Sequence, residues 1–169
     1  MNLKLAFTTF MILCSLIAVT NAAQNDLNFL VGDWVGGGSG EPGQGVGSFS
    51  FTPDLQQHII VRRAHSEYPA TSNKPAVVHD DLLIVYADQA KAIYFDNEGH
   101  VIHYDIATDT KMKSATFLST DPLPSPLFRL TYIQASDNQL TITFEISPTG
   151  KMQNFKTYLT GSVTRKASS

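Results

Sequence analysis

Cysteine is nearly missing from this chain of 169 residues, because its one cysteine, Cys14, lies in an apolar N-terminal stretch. The rest of the chain offers neither a disulfide nor a thiol, which excludes a cross-linked scaffold and cysteine catalysis. Clustered basic residues are missing as well: 12 Lys and Arg are scattered among 15 Asp and Glu, and the formal net charge is −3. Nucleic acids and anionic membrane surfaces bind clustered cations, so we expect neither as a partner.

Helical periodicity and catalytic motifs are also missing. After residue 31 no apolar pattern of helical period lasts more than two turns. The glycine-rich run 36–47 lacks the Gly-Lys-Ser/Thr ending and the following helix of a phosphate loop. We therefore interpret it as a first strand that bends sharply. No Ser–His–Asp or Cys–His constellation and no paired acidic motif can be assembled with any specificity, so no motif supports catalysis.

The first 23 residues have the features of a signal peptide. Lys4 precedes an almost continuous apolar run from Leu5 to Val19, and residues 20–23 supply small side chains for cleavage after Ala22 or Ala23. The run is short for a membrane span and no stop-transfer charges follow it. We predict a signal peptide at 1–23, a single domain at 24–169, export to the periplasm or the cell exterior, and no stable membrane anchor. A retained N-terminal anchor is the alternative.

The remaining chain has the pattern of a β-barrel. Leu140, Ile142 and Phe144 alternate with polar residues, and Gly, Pro, Asn and Asp separate the apolar segments at regular intervals. About ten antiparallel strands with short hairpins predict an all-β up-and-down barrel, in which closure removes exposed edges and leaves room for one small ligand. After a short helix or turn at 24–31, we predict strands at 33–40, 46–51, 57–68, 77–87, 91–95, 100–108, 111–120, 128–134, 139–147 and 152–165.

A Gly-x-Trp step opens the first strand, and an arginine stands in the last one. These are Gly32-Asp33-Trp34 and Arg165. In a barrel that closes on itself, the first and last strands are neighbours. We therefore expect the guanidinium of Arg165 to lie across the indole of Trp34 in a cation–π contact that seals one end.

These residues carry a family resemblance. Gly32-Asp33-Trp34 after an apolar turn, with Arg165 in the last strand, resembles the calycin pattern of lipocalins and fatty-acid-binding proteins. The run 29–40 is similar to the opening of nitrobindin-like barrels and of bacterial lipocalin-like barrels of uncharacterised function. The second group is also similar at 63–69, 79–81, 98–104 and 155–165. The resemblance implies a calycin-like barrel with a ligand cavity.

The resemblance also bears on cofactors. Nitrobindins hold haem through a histidine in the C-terminal part of the barrel, and this chain has no histidine after His103. We therefore predict no cofactor, with a haem-binding nitrobindin-like barrel as a weaker alternative. His100 and His103 stand three residues apart and so lie on opposite faces of a strand, which predicts no metal site there.

Polar side chains mark the candidate ligand site on the third and fourth strands. Arg62 and Arg63 point to opposite faces, so one of them faces the interior. There it would anchor a ligand carboxylate or form a structural ion pair with a nearby acid, and both interpretations stay open. His79 and Asp81 share a face, and such a pair orients an imidazole for proton transfer. An enzyme of cyclase, isomerase or hydrolase type is therefore the alternative function.

Our preferred function is a binding module for a small apolar or amphipathic molecule. We predict that Gly32, Trp34 and Arg165 close the barrel. The predicted ligand-binding residues are Arg63, His65, Tyr68, His79, Asp81 and Tyr104.

Overall fold

Ten antiparallel strands close into a barrel in this computed structural model, which describes residues 26–120 and 125–167. The predicted signal peptide and residues 121–124 of a proline-rich loop lie outside the described residues. Three short 3₁₀ turns accompany the strands, at Asn28–Leu30, Ala87–Gln89 and Met152–Asn154. The strands are β1 Gly32–Gly40, β2 Gly45–Asp54, β3 Ile59–Tyr68, β4 Val77–Tyr86, β5 Lys91–Asp96, β6 Val101–Asp109, β7 Ser114–Ser119, β8 Leu127–Ser136, β9 Gln139–Ser147 and β10 Lys156–Arg165.

The strands follow an up-and-down order. Each strand pairs with its neighbour in the chain, and β1 pairs with β10 to close the ring. Closure gives every strand two partners, so no edge is left with unpaired backbone groups. The predicted all-β, ten-stranded antiparallel barrel is confirmed.

Three predicted strands begin at least two residues too early. The seventh starts at Ser114 instead of residue 111, after a turn in which Lys113 has a φ angle of 45°. β3 starts at Ile59 instead of residue 57, because Leu55, Gln56 and Gln57 all have positive φ angles, of 47°, 57° and 71°, and form a left-handed turn. The last strand starts at Lys156 instead of residue 152, because Met152–Asn154 make a 3₁₀ turn first. Short local turns therefore occupy the first residues of these predicted strands.

Alternate strand residues point into the lumen, and buried apolar side chains fill the half of the lumen that contains Trp34. We call the end that holds Leu27, Leu30, Trp34 and Arg165 the closed end, and the opposite end the mouth. Burying one large apolar side chain contributes about 1.5–3 kcal/mol, so this packed half accounts for much of the stability. Its almost fully buried side chains are Leu27, Leu30, Trp34, Phe51, Ile60, Leu83, Val85, Phe117, Tyr132 and Leu140.

The predicted seal at the closed end is confirmed. Trp34 and Arg165 are register partners in β1 and β10, and the Cζ atom of Arg165 lies 4.2 Å from the centroid of the indole. Arg165 Nη1 also donates to the carbonyl oxygen of Val31 at 2.7 Å, and Trp34 Nε1 donates to that of Leu30 at 2.8 Å. These bonds fix the chain start beneath the barrel.

The position of Arg165 over Trp34 also requires glycine at position 32. The φ angle of Gly32 is +130°, which L side chains rarely adopt, and a Cβ atom there would overlap Nη1 of Arg165. The first glycine of the Gly-x-Trp step therefore makes room for the guanidinium. Within residues 26–120 and 125–167, no helix is long and apolar enough to cross a membrane.

Candidate functional site

The register of β3 and β4 divides the predicted polar cluster between two faces. Ala64 stands opposite Asp81, and His65 stands opposite Asp80. Since successive side chains alternate, Asp81 points into the lumen while His65 points outward. Arg63 is exposed on the same outer face as His65. Arg62 is therefore the arginine that faces the lumen, which the sequence left open between Arg62 and Arg63. Arg63, predicted as a ligand-binding residue, lies on the outer wall instead.

His65 belongs to a solvent-exposed acidic cluster on the outer wall. Its Nδ1 lies 2.6 Å from Asp80 Oδ1, and its Nε2 lies 3.1 Å from Glu67 Oε1. The hydrogen bonds to Asp80 and then Glu67 raise the pKa of His65, because both carboxylates favour the protonated ring. The cluster lies on the side of the wall away from the lumen.

Arg62 and Asp81 form an ion pair inside the lumen. Arg62 Nη1 donates to Asp81 Oδ1 at 2.5 Å, and the two side chains are only 11% and 6% exposed. The guanidinium also lies over the ring of Phe49, with Cζ 5.1 Å from its centroid. Burial by itself lowers the pKa of Arg62, but the charge of Asp81, the neighbouring Tyr132 and Tyr94 and the hydrogen bond to Asp81 together outweigh it. The net shift is upward, so Arg62 stays charged. The structural ion pair weighed from the sequence is present here.

An array of aromatic rings surrounds the ion pair. Tyr132 is fully buried and contacts Phe49, Phe51 and Phe117 edge-on, at centroid distances of 6.1, 5.6 and 6.0 Å. Burial raises the pKa of Tyr132 to about 12, so its hydroxyl keeps its proton. Such edge-to-face contacts stabilise by roughly 0.5–1.5 kcal/mol each beyond burial. The rings thus hold the ion pair in a rigid layer.

Tyr104 and Tyr94 continue this layer. Tyr104 is 2% exposed and packs edge-on against Tyr94 at 6.5 Å and Phe117 at 6.2 Å. Burial and the carboxylates of Asp81 and Asp96 raise the pKa of Tyr94. Tyr104 was predicted from the sequence, and it faces the lumen within the packed layer.

A chain of hydrogen bonds runs from the mouth towards the ion pair. His79 Nε2 lies 2.9 Å from the hydroxyl of Tyr94, and His79 Nδ1 lies 3.1 Å from Glu98 Oε1. The nearest approach of His79 to Asp81 is 3.8 Å, beyond hydrogen-bond length. The His–Asp pair read from the sequence therefore lies on one face, but the imidazole is oriented by Glu98 and Tyr94 instead.

The mouth has an apolar wall that the sequence analysis did not select. Phe128 and Phe144 face inward and stack with centroids 6.1 Å apart and ring planes 6° apart, and Tyr158 meets Phe144 edge-on at 6.0 Å. All three rings are only partly buried. Tyr68 lies on the other side of the mouth, half-buried, with its ring over Gly45.

Three residues of the site were not predicted from the sequence: Glu98, Tyr132 and Phe144. The alternation around Leu140 already placed Phe144 on the inner face, so that residue was accessible to prediction. All five histidines are described, and His79 is the one that faces the lumen; His58, His65, His100 and His103 are exposed on turns or the outer wall. Within the described part of the chain, no three His, Cys, Asp or Glu side chains are grouped to hold a metal ion.

A shallow groove of about 360 Å³ lies on the outer wall where β9, β10 and β1 adjoin. None of its lining residues is ionisable, so its chemistry is limited to hydrogen bonds with hydroxyls, one amide and backbone. The lining consists of Gly37, Gly38, Ser39, Gln44, Thr141, Thr160, Gly161 and Ser162.

Comparison with known proteins identifies the fold. No family model and no curated protein matches the sequence. Among solved structures, Rv2717c from M. tuberculosis has a TM-score of 0.58 at 11% identity, over 86% of this chain and 98% of its own. The S-type phycobiliprotein lyase CPES from Guillardia theta has a TM-score of 0.49 at 12% identity, over 86% and 93%. The barrel EF1p2_mFAP2b bound to DFHBI has 0.42 at 14%, over 86% and 100%. The similarity to Rv2717c shows a calycin-like barrel.

Proposed function

We propose that this chain is a binding protein that holds one small apolar or amphipathic molecule in the mouth half of its barrel. The observation that carries the proposal is the contrast between the two halves of the lumen. Inward-facing rings at the closed end are 0–1% exposed, as at Trp34, Phe51 and Tyr132. Inward-facing Phe128 and Phe144 at the mouth are partly exposed. An open apolar cup above a polar floor has the character of a ligand pocket.

The glycine-rich strands add to this contrast. Gly38, Gly45, Gly47 and Gly161 stand on the inner face of β1, β2 and β10, as their register with Gly36 and Val163 indicates. They contribute no side-chain volume to the mouth half. The ring of Tyr68 lies over Gly45, and β8 and β9, which carry Phe128 and Phe144, stand across the barrel from β3 and β4.

We also propose that the protein is exported and that it belongs to a known group of barrel proteins. The apolar leader at 1–23 supports secretion to the periplasm or beyond. The motifs that resemble bacterial lipocalin-like barrels support a place in that group, with the carrier function that a ligand cavity implies. A haem-binding barrel is the weaker alternative, with His79 as the histidine that faces the lumen.

Native mass spectrometry of the mature protein, purified from its own host without lipid-stripping steps, tests the proposal directly. We expect a copurified mass of a few hundred daltons. An absorbance spectrum of the same sample separates the alternatives, because haem would give a Soret band. A clean apo mass with no absorbance would contradict the carrier function in its native setting.

A variant that fills the lumen tests whether the ligand binds there. Ala64 faces the lumen beside Phe49, so Ala64→Phe would fill the cup, while Ser48→Phe adds the same ring to the exposed outer face of the neighbouring strand. With the neutral probe N-phenyl-1-naphthylamine, we expect Ala64→Phe to lose binding and Ser48→Phe to keep it. Circular-dichroism melts of both variants verify that overpacking has not unfolded the barrel. Unchanged probe binding by folded Ala64→Phe would exclude the lumen.

Acid–base catalysis at the mouth is the second candidate function. It is favoured by one observation, the orientation of the His79 imidazole between Glu98 and the hydroxyl of Tyr94. A carboxylate on one ring nitrogen and a proton carrier on the other are the parts of a general base. Hydrolysis of p-nitrophenyl esters that disappears in His79→Gln would support it, and equal rates in both proteins would remove it.

A further inference from the structure

We infer that the inner end of the bound molecule is a neutral hydrogen-bond acceptor, such as an ester, ketone or ether oxygen, and that the barrel selects against free carboxylates. This inference rests on the binding function proposed above. It follows from the charge balance at the floor of the cup and from two polar atoms there that have no partner.

The charge of Arg62 is already neutralised. Asp81 accepts its Nη1 donor at 2.5 Å in a pair that is about nine-tenths buried. Asp96, whose side chain is 4% exposed, stands opposite Asp81 and adds a second carboxylate, which His100 holds at 2.8 Å. Arg165 is occupied at the closed end. A carboxylate at the floor of the cup would therefore be buried near two others, while Arg62 and Arg165, the two arginines of the lumen among the described residues, are already paired. An unpaired buried charge costs several kcal/mol.

The floor of the cup has buried polar atoms that lack hydrogen-bond partners, although the charge of Arg62 is neutralised. Arg62 Nε and the hydroxyl of Tyr132 are both buried and lack a hydrogen-bond partner in the described structure. The third such atom, Oε1 of Gln134, lies on β8 towards the closed end, opposite Leu140. A guanidinium Nε–H only donates, and the hydroxyl, whose pKa is about 12, carries a proton to donate. We therefore expect the bound molecule to place a hydrogen-bond acceptor beside these two donors.

The side chains that carry both donors contact one ring, that of Phe49. Arg62 Cζ lies 5.1 Å from the centroid of Phe49, and Tyr132 meets the same ring edge-on at 6.1 Å. Phe49 stands opposite Ala64, and the inward positions that follow towards the mouth are Ser66 and Gly47. The residues on this line are small and partly exposed, and we assign this approach to the inner end of the bound molecule. A neutral oxygen that reaches this ring would satisfy donors that otherwise stay unpaired.

Two matched fluorescent probes test the selection: dansyl-undecanoic acid and its methyl ester, titrated into the mature protein at neutral pH. We expect the ester to bind at least about tenfold more tightly than the acid, since only the acid buries a new charge. Equal affinity or tighter binding of the acid would overturn the inference while leaving the binding function standing. Binding of neither probe would overturn both.

Tyr132→Phe tests the donors. It removes an unpartnered hydroxyl and keeps the ring, so we expect the melting temperature to hold or rise while ester affinity falls by about fivefold. Tyr86→Phe on the outer face of β4 is the control and should change neither quantity. Unchanged ester affinity in Tyr132→Phe would mean that a buried water alone serves these donors and would overturn the assigned contact.

Asp81→Asn tests the charge balance, because it frees the Arg62 charge. We expect the preference to shift towards the acid by about tenfold or more. An unchanged preference in a folded variant would contradict the electrostatic part of the inference. If Asp81→Asn does not fold, the wild-type preference and Tyr132→Phe decide the inference by themselves.

Discussion

The guanidinium of Arg165 covers the indole of Trp34, with 4.2 Å between Cζ and the ring centroid, and this contact joins the last strand to the first. The indole is 1% exposed. A cation–π contact between a buried indole and a partly exposed guanidinium stabilises by about 1–2 kcal/mol, and the hydrogen bonds of both side chains to the chain start add to it. The closed end therefore combines ring closure, core packing and anchoring of residues 28–31 in one place.

Trp34→Ala should destabilise the barrel by about 3–5 kcal/mol, the usual cost of removing a large buried ring. Trp34→Phe keeps part of the contact with Phe49, whose centroid lies 6.4 Å from that of the indole, and should cost less. Chemical unfolding followed by far-ultraviolet circular dichroism measures both. A transition midpoint in Trp34→Ala equal to that of the wild type would contradict the sealing role.

Gly32→Ala should be destabilising by about 1–3 kcal/mol or more, since it adds left-handed backbone strain and displaces Arg165. Gly161→Ala is the matched control. A Cβ atom there comes no closer than 3.1 Å to its neighbours, at the carbonyl oxygen of Gly37, in an ordinary strand conformation, so the cost of Gly161→Ala should be smaller than that of Gly32→Ala. We also expect the tryptophan emission of Gly32→Ala to change, because Arg165 no longer covers the indole. Equal unfolding free energies for the two variants would refute this account of the Gly-x-Trp step.

The barrel could be predicted because its signals are local. Apolar and polar residues alternate along Leu140 to Ile146, and Gly, Pro, Asn and Asp mark the turns. Strand ends were less accessible, since the left-handed turn at Leu55, Gln56 and Gln57 uses residues that rarely adopt positive φ. Leucine and glutamine side chains give no signal from which a left-handed conformation could be predicted.

The floor of the site was less accessible for a different reason. β3 begins with Ile59, Ile60 and Val61, which are apolar on both faces, so its alternation does not decide which way Arg62 points. The decision comes from the register, which places Arg62 opposite Phe51 on β2 and Leu83 on β4. Pairing between distant segments is a tertiary property. The placement of His65 outside and Asp81 inside depends on the same register.

The ion pair of Arg62 and Asp81 should be strongly coupled. Arg62→Met and Asp81→Leu should each cost about 3–5 kcal/mol, because each leaves an unpaired buried charge, and the double variant should recover most of that loss. The exposed pair Lys91–Asp105 is the control, and its coupling energy should stay below about 1 kcal/mol. Unfolding free energies give both cycles. Additive losses at Arg62 and Asp81 would show that the pair does not act as a unit.

His65 should titrate above its ordinary pKa of 6.5, because Asp80 and Glu67 hydrogen-bond its protonated ring. Since its pKa is higher in the folded than in the unfolded protein, its contribution to stability is complete below about pH 6.5 and is lost as the pH rises through the folded pKa. Asp80→Asn should lower the pKa more than Glu67→Gln, while Asp88→Asn on the distant turn should leave it unchanged. NMR titration of the imidazole Cε1–H signal, assigned with His65→Gln, measures each value. The same titration curve in wild type and Asp80→Asn would show that Asp80 does not stabilise the protonated imidazole of His65.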